Sequence, residues 1–276
     1  MNLSNQDVQI AQAMFVSSST QQHPLGARGA DDMGRIYRYC RAGAVDLVMG
    51  TFQQGVAIVA GHLTLAVHTN SGGTSPGSTS IMVTCVSAIS TGLYNEGLLM
   101  VASGSGGGGS FKINSFGPAF ASASTTPIPF GQGSVPAGAT GEFRLYPEDA
   151  IPVMTNMTIS TSSKISIIPN EYMNVVICPA TTLTGPPVGL CTYPITATQF
   201  GWIQTWGPAA VLSNDTAAFG SGVVAAATTC GRAEGVQGAA AAATTTFLGN
   251  LLKSPVVGYM LAVGVQGEWR PIFLTI

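Results

Sequence analysis

No amphipathic run of about 15 residues occurs anywhere in this chain, and 35 glycines and 16 prolines cut its apolar residues into short stretches. A helical core needs apolar residues recurring every three to four positions over several turns. What remains is period-2 alternation, the mark of strands. Leu63, Leu65 and Val67 share one face of a first such segment. In a second, Met157, Ile159, Ile165 and Ile167 oppose Thr158, Ser160, Ser162, Lys164 and Ser166. Further strands are predicted over 35–41, 81–86, 97–102, 141–145, 172–178, 201–206, 223–227, 256–265 and 269–276. Between them run Gly/Pro/Ser loops at 71–80, 103–110, 127–141 and 184–190. Short strands separated by turn residues define an all-β chain. The expected architecture is a sandwich or barrel-like β domain, or two, with long Gly/Pro-rich loops and an extended N-terminal arm.

The predicted organisation is an arm over 1–24, a β-rich domain over 25–170, and 171–276 as a second β-rich domain or the other half of the same one. Within the arm, residues 8–16 are long enough for two helical turns, and 17–22 read as an exposed linker. The alanine run at 239–243 is helix-prone but ends at Thr244, so a loop or one short helix is expected there.

Charge is scarce and concentrated. Only 8% of residues are charged, against roughly a quarter in ordinary soluble domains. Residues 25–46 carry Arg28, Asp31, Asp32, Arg35, Arg38, Arg41 and Asp46. Alternation over 35–41 places arginines on both faces of a strand. With a mean hydropathy of +0.35, such a surface suits a subunit that neighbours cover. A net charge of −2 and only three lysines leave no basic stripe for phosphates, so no nucleic-acid partner is expected. No membrane association is expected either. The most apolar stretch, 56–67, is shorter than the roughly 20 residues of a spanning helix, and the first residues lack the pattern of a secretory signal.

The side chains that could carry chemistry are sparse. The Gly104–Ser110 run lacks the lysine and following helix of a phosphate loop. If 56–68 is one strand, His62 and His68 lie about 20 Å apart, too far to share a metal, and they read as ordinary surface or edge histidines. Neither Asp31-Asp32 nor Glu148-Asp149 resembles a pair of carboxylates facing across a cleft. The five cysteines form no CxxC and are expected to be reduced, mostly buried thiols. No catalytic residue, metal or cofactor is predicted. The stretch Gly201-Trp202-Ile203-Gln204-Thr205-Trp206-Gly207-Pro208 is more specific. On a strand stopped by Gly207-Pro208, Trp202, Gln204 and Trp206 share a face, fitted to packing, to an interface, or to a sugar-binding platform.

Two motifs carry a resemblance. Pro24-Leu25-Gly26-Ala27-Arg28-Gly29, followed by Asp32-Met33-Gly34-Arg35-Ile36-Tyr37-Arg38-Tyr39 and Ala42-Gly43, resembles the near-N-terminal motif of small virion structural proteins of tailed bacteriophages. The stretch from Phe200 to Ala209 is similar to a second motif of the same group, in the expected order and spacing. Together they cover about a tenth of the chain. The resemblance implies a capsid decoration (cement) protein that binds the outer surface of the shell and stabilises contacts between capsomers. The major capsid protein is then its partner, and the virion, assembled in the host cytoplasm, its location. Arg28, Asp31, Asp32, Arg35, Arg38, Arg41, Trp202 and Trp206 are the candidate interaction residues, since arginine forks grip carboxylates. The low-charge surface predicts self-association, and the resemblance to shell-bound proteins points to a homotrimer. A tail, fibre or head-surface component binding host glycans is the alternative, supported by the Trp pair.

Overall fold

The computed structural model describes residues 8–9, 15–67, 80–90, 92–104, 107–118, 137–138, 140–145, 163–226, 228–236, 255–263 and 265–276. The predicted features at His68, Glu148-Asp149, 157–162 and 239–243, and most of the loops at 71–80 and 127–141, lie outside the described residues. The chain forms two compact units, Met1–Ala57 with Glu171–Ile276, and Ile58–Asn170. The first begins with β1 (Val8–Gln9), β2 (Arg28–Ala30), β3 (Ile36–Arg41) and β4 (Phe52–Gln54). The arm is not helical at Val8–Gln9, which pair in parallel with Gly29 and Ala30 of β2. The 17–22 stretch is exposed over 19–22, as expected, but it is tied down at both ends. Ser18 bridges Phe200, and the Gln22 N–H donates to the Tyr39 hydroxyl at 2.9 Å.

The second unit is a closed six-stranded antiparallel barrel of β5 (Leu65–Val67), β6 (Ser80–Thr84), β7 (Leu98–Ser103), β8 (Ser110–Pro118), β9 (Thr140–Leu145) and β10 (Lys164–Ile168), in the order β10-β5-β6-β9-β8-β7. Pairing of β10 with both β5 and β7 closes the ring, which removes exposed sheet edges. Leu65, Val67, Leu99, Val101, Ile165 and Ile167 point inward, as alternation dictates, and form its core with Ile81, Val83, Ile113 and Tyr94. The 56–68 stretch is not one strand. A 3-10 turn at Ala60–His62 precedes β5, and His62, expected at the surface, is 2% exposed. Its Nδ1 lies 2.5 Å from the Tyr94 hydroxyl and its Nε2 lies 3.2 Å from the Ala88 carbonyl. Burial of the ring lowers the His62 pKa below its ordinary value, against the opposing pull of backbone hydrogen bonds at Ala88 and Ser87.

The first unit resumes with β11 (Val176–Ile177), β12 (Pro187–Leu190), β13 (Phe200–Leu212), β14 (Gly222–Ala225), β15 (Ala233–Val236), β16 (Gly258–Met260) and β17 (Trp269–Thr275). Its eleven strands run β1-β2-β3-β13-β17-β16-β14-β15, with β4, β11 and β12 branching from β13. The division differs from a split into 25–170 and 171–276 because β3 finds its partner far along the chain, in β13. Three apolar clusters fill this unit. One lies under β13, β17, β16 and β14 (Val211, Ile272, Leu274, Met260, Val223). The other two pack around β3 and the first half of β13, one holding Cys40, Ile203 and Ile195 and one holding Tyr37, Tyr39 and Trp202. All five cysteines are free, four of them buried and Cys230 exposed.

Candidate functional site

The two motifs singled out in the sequence lie side by side. β3 and β13 are antiparallel neighbours, with Arg41 opposite Phe200, Tyr39 opposite Trp202, Arg38 opposite Ile203 and Tyr37 opposite Gln204. The hydrophobic half of each motif supplies the packing. Trp202 is 2% exposed, with its ring 5.1 Å from that of Tyr39 and 5.3 Å from that of His23.

The charged half is largely turned on itself. Asp31 opens the β2–β3 turn. One of its carboxylate oxygens accepts the main-chain N–H groups of Met33 and Arg35, each at 3.0 Å. The other is 2.6 Å from Arg35 Nε. Partial burial opposes ionisation of Asp31, but the hydrogen bonds and charge of Arg35 outweigh it and hold the pKa below its usual value. Arg38 donates to the Gly26 carbonyl at 2.9 Å and Arg41 to that of Thr198 at 3.2 Å. The Arg35 and Arg41 guanidinium groups each sit 5.8 Å from a ring centroid, of Tyr37 and Phe200 respectively. Arg28 stands opposite Arg38 across the β2–β3 pair, and Asp32 is exposed at the tip of the turn beside exposed Met33. Asp46 accepts the Ala197 N–H at 2.7 Å.

Trp202 and Trp206 do not share a face. The β3–β13 register shifts between Gln204, opposite Tyr37, and Trp206, opposite Ile36. One extra residue, Thr205, therefore stands on β13, and a bulge of this kind reverses the alternation beyond it. Gly207-Pro208 also fails to stop the strand, which runs on to Leu212. Pro208 is tolerated because of where its missing N–H would point. The Pro271 carbonyl accepts the Leu261 N–H on the β16 side of β17, so Ile272 and Leu274 turn their peptide groups toward β13. Their register partners Ala209 and Gly207 face β17 in return, which leaves Pro208 directed away from the ladder.

Beyond the bulge, one side of the sheet covers the core and the other is open. On β13 the open side presents Trp206, Pro208 and Ala210, all exposed; on β17 it presents exposed Pro271 and Thr275 around partly buried Phe273. Tyr259 of β16 continues the row. Its ring stacks on that of Phe273 at 5.2 Å, and Trp206 meets Phe273 edge-on at 5.5 Å. Trp206 and Tyr259 remain 43% and 41% exposed. Among the described residues no charged side chain interrupts this face, and Thr275, the Tyr259 hydroxyl and the Trp206 indole N–H are its polar groups. Sequence reasoning named Trp206 but missed Phe273, Tyr259 and Pro271. The available signal was a terminal segment with apolar residues at both parities, which marks a strand with no solvated face.

Among the described residues no group of three or more His, Cys, Asp or Glu is placed to hold a metal, and no helix is long and apolar enough to cross a membrane. Comparison with protein-family models, with curated proteins and with solved structures finds no match for this chain.

Proposed function

We propose that this chain is a structural virion protein of a tailed phage, a decoration or cement protein that binds the outside of the capsid as a homotrimer and stabilises contacts between capsomers. The observation that carries this reading is the uncharged outward face of β13, β17 and β16, with Trp206 and Tyr259 both more than two-fifths exposed. Contiguous apolar surface of this kind marks a site that another protein covers. The resemblance of the paired β3 and β13 motifs to virion proteins supplies the setting. Contact with the major capsid protein falls to the β2–β3 turn, where Asp32 and Met33 stand exposed beside the Asp31–Arg35 pair. The glycan-binding alternative loses its support, because Trp202 is buried and on the face opposite Trp206. The test is copy number in purified virions. A stoichiometry near that of the major capsid protein is expected; a few copies per particle would overturn decoration in favour of a tail part.

A further inference from the structure

We propose that Cys178 and Cys230 form a disulfide when the protein meets an oxidant, which makes the pair a redox-sensitive staple at the margin of the eleven-stranded sheet. The chemistry is independent of the proposed function. That reading supplies only the setting, in which a chain assembled in a reducing cytoplasm meets oxidant after release.

The backbone brings the two cysteines together. Cys230 is exposed in the turn that joins β14 to β15, the last strand in the sheet order. Gly231, next to it, is inserted between two other strands. Its carbonyl accepts the Phe52 N–H at 2.6 Å, and its N–H donates to the Cys178 carbonyl at 2.8 Å. With ordinary peptide geometry on both sides, a bond of that length leaves the α-carbons of Cys178 and Cys230 about 4–6 Å apart. Disulfides join α-carbons separated by about 4.4–6.8 Å. Orientation agrees. A Cβ on Gly231 would lie 2.6 Å from Ile177 Cγ2 and from Thr51 Cβ, so position 231 faces the Ile177 side. Alternation turns Cys178 and Cys230 to the other side, where Cys178 shares an apolar cluster with Phe52. The two sulfurs also interact: burial raises the Cys178 pKa, a backbone hydrogen bond lowers it, and the charge of Cys230 raises it again.

Access fixes the order of events, since Cys230 alone of the five thiols is exposed. Its thiolate attacks a low-molecular-weight disulfide such as oxidised glutathione, forming a mixed disulfide and releasing one glutathione thiolate. Cys178 then gives up its proton and attacks the Cys230 sulfur, forming the internal bond and expelling the second glutathione. The protein loses two electrons and two protons, and the glutathione disulfide gains them as two thiols. Cys178 need not reach solvent, because its target is carried on the adjacent chain. The bond closes a loop of roughly fifty residues that holds β12, β13 and β14, and long closed loops restrict the unfolded chain most.

The experiment treats the reduced full chain with oxidised glutathione, maps non-reduced peptides by mass spectrometry and follows thermal unfolding in parallel. The wild type is expected to lose two hydrogens, to show a single cross-link between the Cys178 and Cys230 peptides, and to melt several degrees above its reduced form. Cys178→Ser is expected to stop at one glutathione on Cys230, and Cys230→Ser to remain unmodified. A wild type that stops at the mixed disulfide, that cross-links Cys230 elsewhere, or that melts no higher once bridged would overturn the inference. The wild-type map carries the test even if a serine variant does not fold. Virion copy number is read separately, so this proposal and the proposed function can each fail alone.

Discussion

The side-chain carboxamide of Gln204 donates to the main-chain carbonyl of Trp206 at 3.0 Å, and the same nitrogen reaches the Pro208 carbonyl at 3.0 Å. Gln204 itself is fully buried. A side chain thus satisfies two backbone acceptors at and just beyond the bulge.

Gln204→Leu keeps the volume but orphans both carbonyls. The expected loss is about 1–3 kcal/mol, read as a fall in thermal midpoint of several degrees. Gln204→Glu should cost more, because it turns a carboxylate toward two carbonyl oxygens. Equal midpoints for the two variants would count against this account of the bulge.

Gly207 has φ +93°, and an added Cβ would lie 3.3 Å from Arg35 Cα and Cγ. Gly267 has φ +86° with open space around it. Both alanine variants carry the backbone cost of about 1–3 kcal/mol, but Gly207→Ala also pushes on Arg35, the residue before β3. Chemical denaturation of the two should place Gly207→Ala as the less stable.

The reading of the sequence succeeded where local pattern decides the outcome. β3 and β10 were visible in period-2 alternation, β17 was expected as a strand over 269–276, and the shared parity of Leu65 and Val67 in β5 matches the inside of the barrel. It failed where a single long-range contact overrides local rules. Gly207-Pro208 reads as a strand terminator, yet the strand continues because the proline nitrogen points away from its ladder. Trp202 and Trp206 share parity, yet Thr205 shifts the register and separates them. His62 looked like a surface residue because its partner, Tyr94, is 32 positions away. The arginines were legible as a cluster, while their bonding to carbonyls of Gly26 and Thr198 depends on loops the sequence does not position.

The buried His62 gives the barrel unit a pH dependence. Its folded pKa is lowered, so the unfolded chain takes up a proton first as pH falls below about 6.5. The stability contributed above that pH is lost progressively toward the folded value. Thermal unfolding followed from pH 8 to 5 should show the fall, and His62→Gln should flatten it. An unchanged slope in the variant would assign the acid sensitivity elsewhere.

Asp31 acts in a lower window. Its pKa is depressed in the fold, so its contribution is present above about 3.9 and disappears as pH drops through the folded value. Asp31→Asn removes the ion pair with Arg35 and should reduce stability at pH 7 while leaving it nearly unchanged at the acid limit. A loss of the same size at both extremes would mean that the turn is held by something other than charge.

Thiol accessibility gives a direct test of the packing. Cys40, Cys85, Cys178 and Cys191 are buried, and burial pushes the Cys178 and Cys191 thiols up to about 12. A thiol reagent at pH 8 should label Cys230 alone in the native protein and all five after denaturation. Rapid labelling of a second cysteine would show that a core cluster opens readily.

The interleaving of the two units sets a timetable for synthesis. Tyr39 pairs with Trp202 and Tyr37 with Gln204, so the N-terminal strands leave the ribosome long before the strand that holds them. The barrel between them is contiguous in sequence and has every one of its partners by residue 170. It can therefore close first, while residues 25–54 wait with their tyrosines and arginines uncovered. Long waits of this kind slow folding and expose unpaired strands to other chains. A truncation that ends before Phe200 should accordingly yield a folded barrel attached to an aggregation-prone N-terminal segment. The closing step belongs to the last third of the chain.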